Sequence, residues 1–140
     1  MSDIKTGTEI EADFYRRVKT SPLAEVIRGR VLRDGMRERD ARTEDAVVIF
    51  NSGLDGQVQD GVVVLNVFVP KRPFGVDTEA VKDIGRVSEL EGIIRDWLSS
   101  WHDEEYLLPA DRRPTILSID DPQRGETYIH TRIRFKRLAE

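Results

Sequence analysis

A chain of 140 residues with no cysteine, 39% hydrophobic and 34% charged, has enough apolar material for a core but no means to make disulfides, zinc-thiolate sites or thiol nucleophiles. Its apolar runs, such as Val62-Val-Val-Leu65, fall far short of the roughly 20 residues that cross a bilayer as a helix, and Met1-Ser-Asp-Ile-Lys5 lacks the basic start and apolar stretch of a secretory leader. A net charge of −4 disfavours a general polyanion binder, because nonspecific affinity for nucleic acid comes mainly from cations on phosphate. These bounds predict one domain over residues 1–140, flexible over 1–7, in a reducing cytoplasm and without membrane contact.

The first helix signal is Thr8 with Glu11 three residues on, the pattern of a capping box. Ile10, Phe14 and Val18 then recur at four-residue spacing, which predicts a helix over 9–19 with one apolar stripe. Ser21-Pro22 restarts a helix, since proline suits the first turn, and Leu23 to Ile27 reads as a short segment closed by Gly29. From Arg30 to Glu44 the chain is dense in both signs of charge. A short strand at Arg30-Val-Leu32 followed by a solvated loop is the reading that these residues support.

Ala46-Val-Val-Ile-Phe50 and Val62 to Val69 are rich in branched and aromatic residues, with Gly53, Asp55-Gly56 and Asp60-Gly61 between them. That pattern predicts an antiparallel pair, and the unbroken Val62-Val-Val-Leu65 run predicts burial on both sheet faces. Pro70 and Pro73 are expected to end the ladder. A second helix starts between Asp77 and Ser88 and carries Val87, Leu90, Ile94, Trp97 and Trp101 at alternating spacings of three and four, a stripe expected to face the core. Thr115 to Ile119 reads as a strand, and Asp120 to Gly125 as a turn. From Tyr128 to Phe135 strict alternation places Ile129, Thr131, Ile133 and Phe135 on one face and His130, Arg132 and Arg134 on the other.

Chemistry-bearing patterns are weak. His102 and His130 lie in different elements with no nucleophile motif beside either. No Gly-x-Ser-x-Gly turn is present. His102-Asp103-Glu104-Glu105 could offer metal ligands, but contiguous residues seldom converge on one ion, and an exposed acidic helix end explains them. The glycines at 53, 56 and 61 shape a hairpin and are followed by neither Lys-Ser nor Lys-Thr, so they form no phosphate loop. The expectation is therefore no catalytic residue, no metal and no cofactor. His130, Arg132, Arg134 and Lys136 are the candidate interface, a charged strand face that can set partner geometry or remain solvated.

The segment Val18-Lys-Thr-Ser-Pro-Leu-Ala-Glu-Val-Ile-Arg-Gly-Arg-Val-Leu32 resembles the place in phage tail-completion and tail-terminator proteins where a first helix ends and a glycine leads into the first strand. The charged loop, the strand pair, the long amphipathic helix and the final hairpin resemble that family's layout over nearly the whole chain. The resemblance implies an α+β fold, a mostly antiparallel sheet with two main helices on one face in the order α-β-β-β-α-β-β. It also implies a non-enzymatic virion structural protein of a phage or prophage, made in the cytoplasm, that forms a ring of copies at the head-tail junction against other tail or head-completion proteins. The alternative is a small intracellular anion- or nucleic-acid-binding module using His130, Arg132, Arg134 and Lys136.

Overall fold

The computed structural model describes residues 4–54, 58–72 and 80–138; the Asp55-Gly56 turn and Pro73 lie outside them. The chain runs through α1 (Gly7–Lys19), α2 (Pro22–Val26), β1 (Val31–Arg33), β2 (Ala46–Leu54), β3 (Val58–Pro70), α3 (Ile84–Ser99), β4 (Tyr106–Leu107), β5 (Thr115–Asp121) and β6 (Glu126–Leu138). The sheet order is β1-β2-β3-β6-β4, with β5 also paired to β6. β1 runs parallel to β2, and every other pair is antiparallel. The expected order of elements is met only roughly: the short helical segment read after Ser21-Pro22 is present as α2 although the order counts only the two main helices, and β4 is added, joining β6 at Arg137 and Lys136 beyond the stretch taken by β5.

The helix starts two residues earlier than the Thr8–Glu11 phrase predicts. Thr6 is the N-cap, and it and Glu9 form the reciprocal box, Glu9 N donating to Thr6 Oγ1 and Thr6 N to Glu9 Oε1. Two overlapping Thr-x-x-Glu phrases compete here. Glu11 is withdrawn from capping because its carboxylate accepts from Arg33 Nε at 3.1 Å and from Phe50 N at 3.3 Å. Lys5, in the stretch expected to be flexible, bonds Asp13 at 2.6 Å and Glu105 at 2.8 Å. Ile27, not Gly29, ends α2. Gly29 serves close approach instead: its N–H donates to Glu44 O, and a β-carbon would stand 2.6 Å from that oxygen and collide with the Asp45 carboxylate.

One face of the sheet holds the core. Ala46 and Val48 of β2, Val63, Leu65, Val67 and Val69 of β3, and Ile129, Ile133 and Phe135 of β6 pack with Ile10, Phe14 and Val18 of α1 and Val87, Leu90 and Ile94 of α3. Both main helices thus share one side, and the alternation expected in β6 is observed. β3 lies between β2 and β6, which accounts for Val63, Val64 and Leu65 all being buried. Trp97 and Trp101 are half-buried against the core. Trp101, past the end of α3, stacks on Phe14 at 5.8 Å and donates Nε1–H to Tyr106 O at 2.8 Å. No helix among the described residues is long and apolar enough to cross a membrane.

Candidate functional site

Paired residues in a sheet share a face, so the register defines the side turned away from the helices. Val62 stands opposite Arg134, Val64 opposite Arg132, Asn66 opposite His130 and Phe68 opposite Tyr128. β5 extends this grid with Thr115 beside Arg132, Leu117 beside His130 and Ile119 beside Tyr128. β2 and β1 extend it the other way through Val47 and Leu32. Leu32, Val47 and Val64 are buried yet stand apart from the helix-covered core, which makes the outer face a second, thinner apolar layer.

The four residues expected to mark an interface do share this face, and the structure brings them into one row along β6. They are half-buried rather than fully exposed. His130 Nδ1 lies 2.8 Å from Asn66 Oδ1, an acceptor, so the proton sits on Nδ1. Burial lowers the His130 pKa, and the nearby Arg132 charge lowers it further. Arg134 donates to Arg113 O at 2.9 Å. Arg132 and Lys136 have no carboxylate partner among the described residues; Asp60, across from Lys136, keeps one oxygen buried and unbonded. Leu117 and Ile119, which sequence reasoning did not single out, are 56% and 37% exposed on the same surface. The sequence carried no signal for them, because Thr115 to Ile119 has apolar residues on both faces and only the pairing with β6 decides which face is turned outward.

The charged stretch after β1 is not the solvated loop that its composition predicts. Glu44 and Asp45 are buried at 3% and 0% exposure, and the loop folds over one end of the outer face. Arg37 reaches inward, its guanidinium 3.9 Å from the Phe68 ring centre, donating to Asp45 Oδ2 at 3.1 Å and to both oxygens of buried Glu126. Arg124 closes the far side through Glu126 Oε2 and the Arg39 carbonyl. Glu44 meets Arg86 of α3 through two hydrogen bonds of 2.6 and 2.9 Å. Burial would raise the Asp45 carboxyl, but bonds from Thr43, Arg30 N and Arg37 together hold it below its ordinary value. Charges that would be costly alone in a low-dielectric setting are each matched here.

The His102–Glu105 run likewise departs from an exposed helix end. Asp103 pairs with Arg17 at 2.6 Å and accepts from Glu105 N and Tyr106 N; Glu105 bridges Lys5 and Arg137. Only His102 and Glu104 of the four are exposed. Buried Asp13 completes this second cluster, accepting from Lys5 and, at 2.5 Å, from Tyr106 Oη, with Arg16 beside it. These acids are taken up by basic partners and main-chain donors, an arrangement that fixes the start of α1 to the sheet rather than one that offers open coordination. Among the described residues no group of three or more His, Asp or Glu is placed to hold a metal ion.

Taken together, the outer face is apolar and cationic, rimmed by a loop anchored through buried acids. It can recognise a protein surface or an anion through side chains already held in place. The sequence matches no protein-family model, and no curated protein matches it.

Proposed function

We propose that the chain is a non-catalytic structural subunit of phage or prophage tail assembly, a tail-terminator or tail-completion protein at the head-tail junction. It associates with copies of itself in a ring and docks on adjoining tail or head-completion proteins, in the cytoplasm during assembly and in the virion afterwards. The observation that carries this reading is the outer sheet face. It has Leu117 and Ile119 exposed at 56% and 37% beside Arg132 and Lys136, which lack a carboxylate partner among the described residues. Apolar groups interleaved with uncompensated charge favour a specific partner over unspecific sticking. The resemblance in chain layout supplies the class of partner. Light scattering with negative-stain microscopy at high concentration tests it. Rings or short stacks are expected; a strictly monomeric particle that joins no tail tube overturns the reading.

A second reading, an anion- or nucleic-acid-binding module, is favoured by one observation: His130, Arg132, Arg134 and Lys136 stand in one row along β6, and Arg132 and Lys136 lack a carboxylate partner among the described residues, so positive potential concentrates there. Its mark is salt-sensitive binding of an oligonucleotide, lost in Arg132→Ala/Arg134→Ala.

A further inference from the structure

Two features on opposite edges of the sheet fit each other. At the β1 edge, Arg33 to Met36 form a tight turn, Met36 N donating to Arg33 O at 3.0 Å and Gly35 adopting φ +80°. A positive φ at the third turn position is what glycine allows and other residues resist. The turn leaves Met36 60% exposed, an unusual position for a large apolar side chain on so polar a loop. It does not hang loose, because the next residue, Arg37, is fastened to Asp45 and Glu126. With Arg37 turned inward, the exposed charges on either side of Met36 are Asp34 and Glu38, and neither has an ion-pair partner among the described residues.

At the other edge, between the end of α3 and the start of β5, lies a cleft of about 440 Å³. Leu98, Leu108, Pro109 and Ile116 give it an apolar lining, and among the described residues Arg95 and Arg113 supply the only charged side chains facing it. Arg95 pairs only with its exposed neighbour Asp96, while Arg113 has no carboxylate partner among the described residues. The size falls in the range of clefts that take a substantial side chain or small ligand, roughly 300–1,000 Å³. An acidic knob tipped by a thioether and a cationic cleft with an oily floor are complementary in both charge and polarity.

The register decides what such a contact would build. Arg33 pairs Val48, Val48 pairs Leu65, Leu65 pairs Thr131 and Thr131 pairs Ile116. The root of the knob and the floor of the cleft are therefore the two ends of one row across the sheet. They lie at the same height on opposite edges, so one copy's knob cannot reach its own cleft but can meet a neighbour's. A contact between different patches of identical copies is heterologous, and it generates rings when the rotation closes.

We propose that Met36, flanked by Asp34 and Glu38, inserts into the Arg95–Arg113 cleft of a second copy of this chain, setting copies side by side. This rests on the assembly reading above and specifies its lateral contact. The test uses two full-length variants, Met36→Ser, which truncates the knob without adding a charge that the cleft would attract, and Arg95→Glu/Arg113→Glu, which reverses the cleft. All three positions are exposed, and circular dichroism checks that each variant is folded. In sedimentation velocity each variant alone should associate at least tenfold more weakly than the unaltered chain. An equimolar mixture should form a dimer, since one variant keeps an intact cleft and the other an intact knob. If the unaltered chain associates and both variants do so equally well, the knob-and-cleft contact is wrong while assembly stands. If the unaltered chain is monomeric at every concentration, both readings fall.

Discussion

Arg37 and Glu126, 89 positions apart, meet through two hydrogen bonds of 3.2 and 3.1 Å to a carboxylate that is 1% exposed. The same guanidinium serves Asp45 and covers Phe68. One side chain thus fastens the β1–β2 loop to the far hairpin and shields two buried acids.

Replacing Arg37 by Met keeps much of the bulk over Phe68 but strands those acids. Removing one partner of a buried ion pair typically costs about 3–5 kcal/mol, and Arg124, still bonded to Glu126, places the expected loss at the low end. Arg37→Lys should recover only part, because an ammonium lacks the planar fork. Urea unfolding measures both, and an Arg37→Met variant within about 0.5 kcal/mol of the parent, the usual scale for a surface change, contradicts the anchoring role.

Acid should unfold the protein through a small set of carboxylates. For Asp13, Asp45, Asp103 and Glu105, burial pushes the pKa up, but hydrogen bonds from basic side chains, hydroxyls and main-chain N–H groups outweigh it and leave all four lowered. A folded-state pKa below the unfolded one means that the unfolded chain binds protons first as pH falls. The stabilisation is therefore full above the ordinary values of 3.8 and 4.5 and is lost as pH drops through the lowered ones. Denaturation midpoints should be flat from neutrality to about pH 5 on this account, then fall steeply. Asp45→Asn should shallow that fall, and an unchanged slope would falsify the assignment for that residue.

How much of this was legible in the sequence depended on range. The stripe of α1, the stripe of α3 and the alternation of β6 are local periodicities imposed by helix and strand geometry, and they appear where expected, except that α3 ends at Ser99 and leaves Trp101 beyond it. β4 spans only Tyr106–Leu107, too short to show any period. The burial of Glu44 and Asp45 was hidden for a different reason: Glu44 meets Arg86 across the fold in α3, Asp45 meets Arg37 of its own loop, and a charge pair leaves no periodic trace. Composition therefore read the loop as solvated. On the outer face, the charged half of the grid was visible in β6 alone, whereas its apolar half needed the pairing of β5 with β6.

Tyr106 and Asp13 form the centre of the second buried cluster. Burial together with the Asp13 carboxylate drives the phenol pKa upward, so the hydroxyl stays protonated and remains a donor at every ordinary pH. Tyr106→Phe deletes that donor without opening a cavity around the ring, which packs on Phe14 and Phe135. A hydrogen bond to a charged group contributes about 1.5–3 kcal/mol, and thermal unfolding should report a loss of that order. Asp13→Asn/Tyr106→Phe should cost less than the sum of the two single changes, as expected of contacting residues.

Two glycines should respond to alanine in opposite directions. A β-carbon on Gly61 would stand 2.6 Å from both the Phe135 ring and the Ser52 carbonyl, so Gly61→Ala overpacks the core and should cost about 1–3 kcal/mol. Gly92, inside α3, has room: the nearest atom to its β-carbon is the flexible end of Arg95 at 3.7 Å. Gly92→Ala should stabilise by about 0.8–1 kcal/mol through helix propensity. Denaturant midpoints of the pair check the sign of each.

The outer face makes the last prediction. Leu117→Thr/Ile119→Thr places β-branched residues suited to a strand at both positions while removing the most exposed apolar surface on β5. Leu117 and Ile119 are 56% and 37% exposed, so part of each side chain is still covered within the protomer. The double change should therefore cost the monomer about 1–2 kcal/mol, a fraction of what full burial of such side chains contributes, and docking is compared on the folded variant. Docking on a partner should weaken in proportion to the apolar area no longer covered, at about 25 cal/mol per Å². Adding Arg132→Ala should mainly slow association and flatten its salt dependence, since charge at such a surface steers encounter more than it holds the complex. It should also raise the His130 pKa toward its ordinary 6.5, visible by NMR titration in the isolated chain. If self-association or docking survives all three changes at unaltered affinity and salt dependence, the outer face is not the docking surface proposed above.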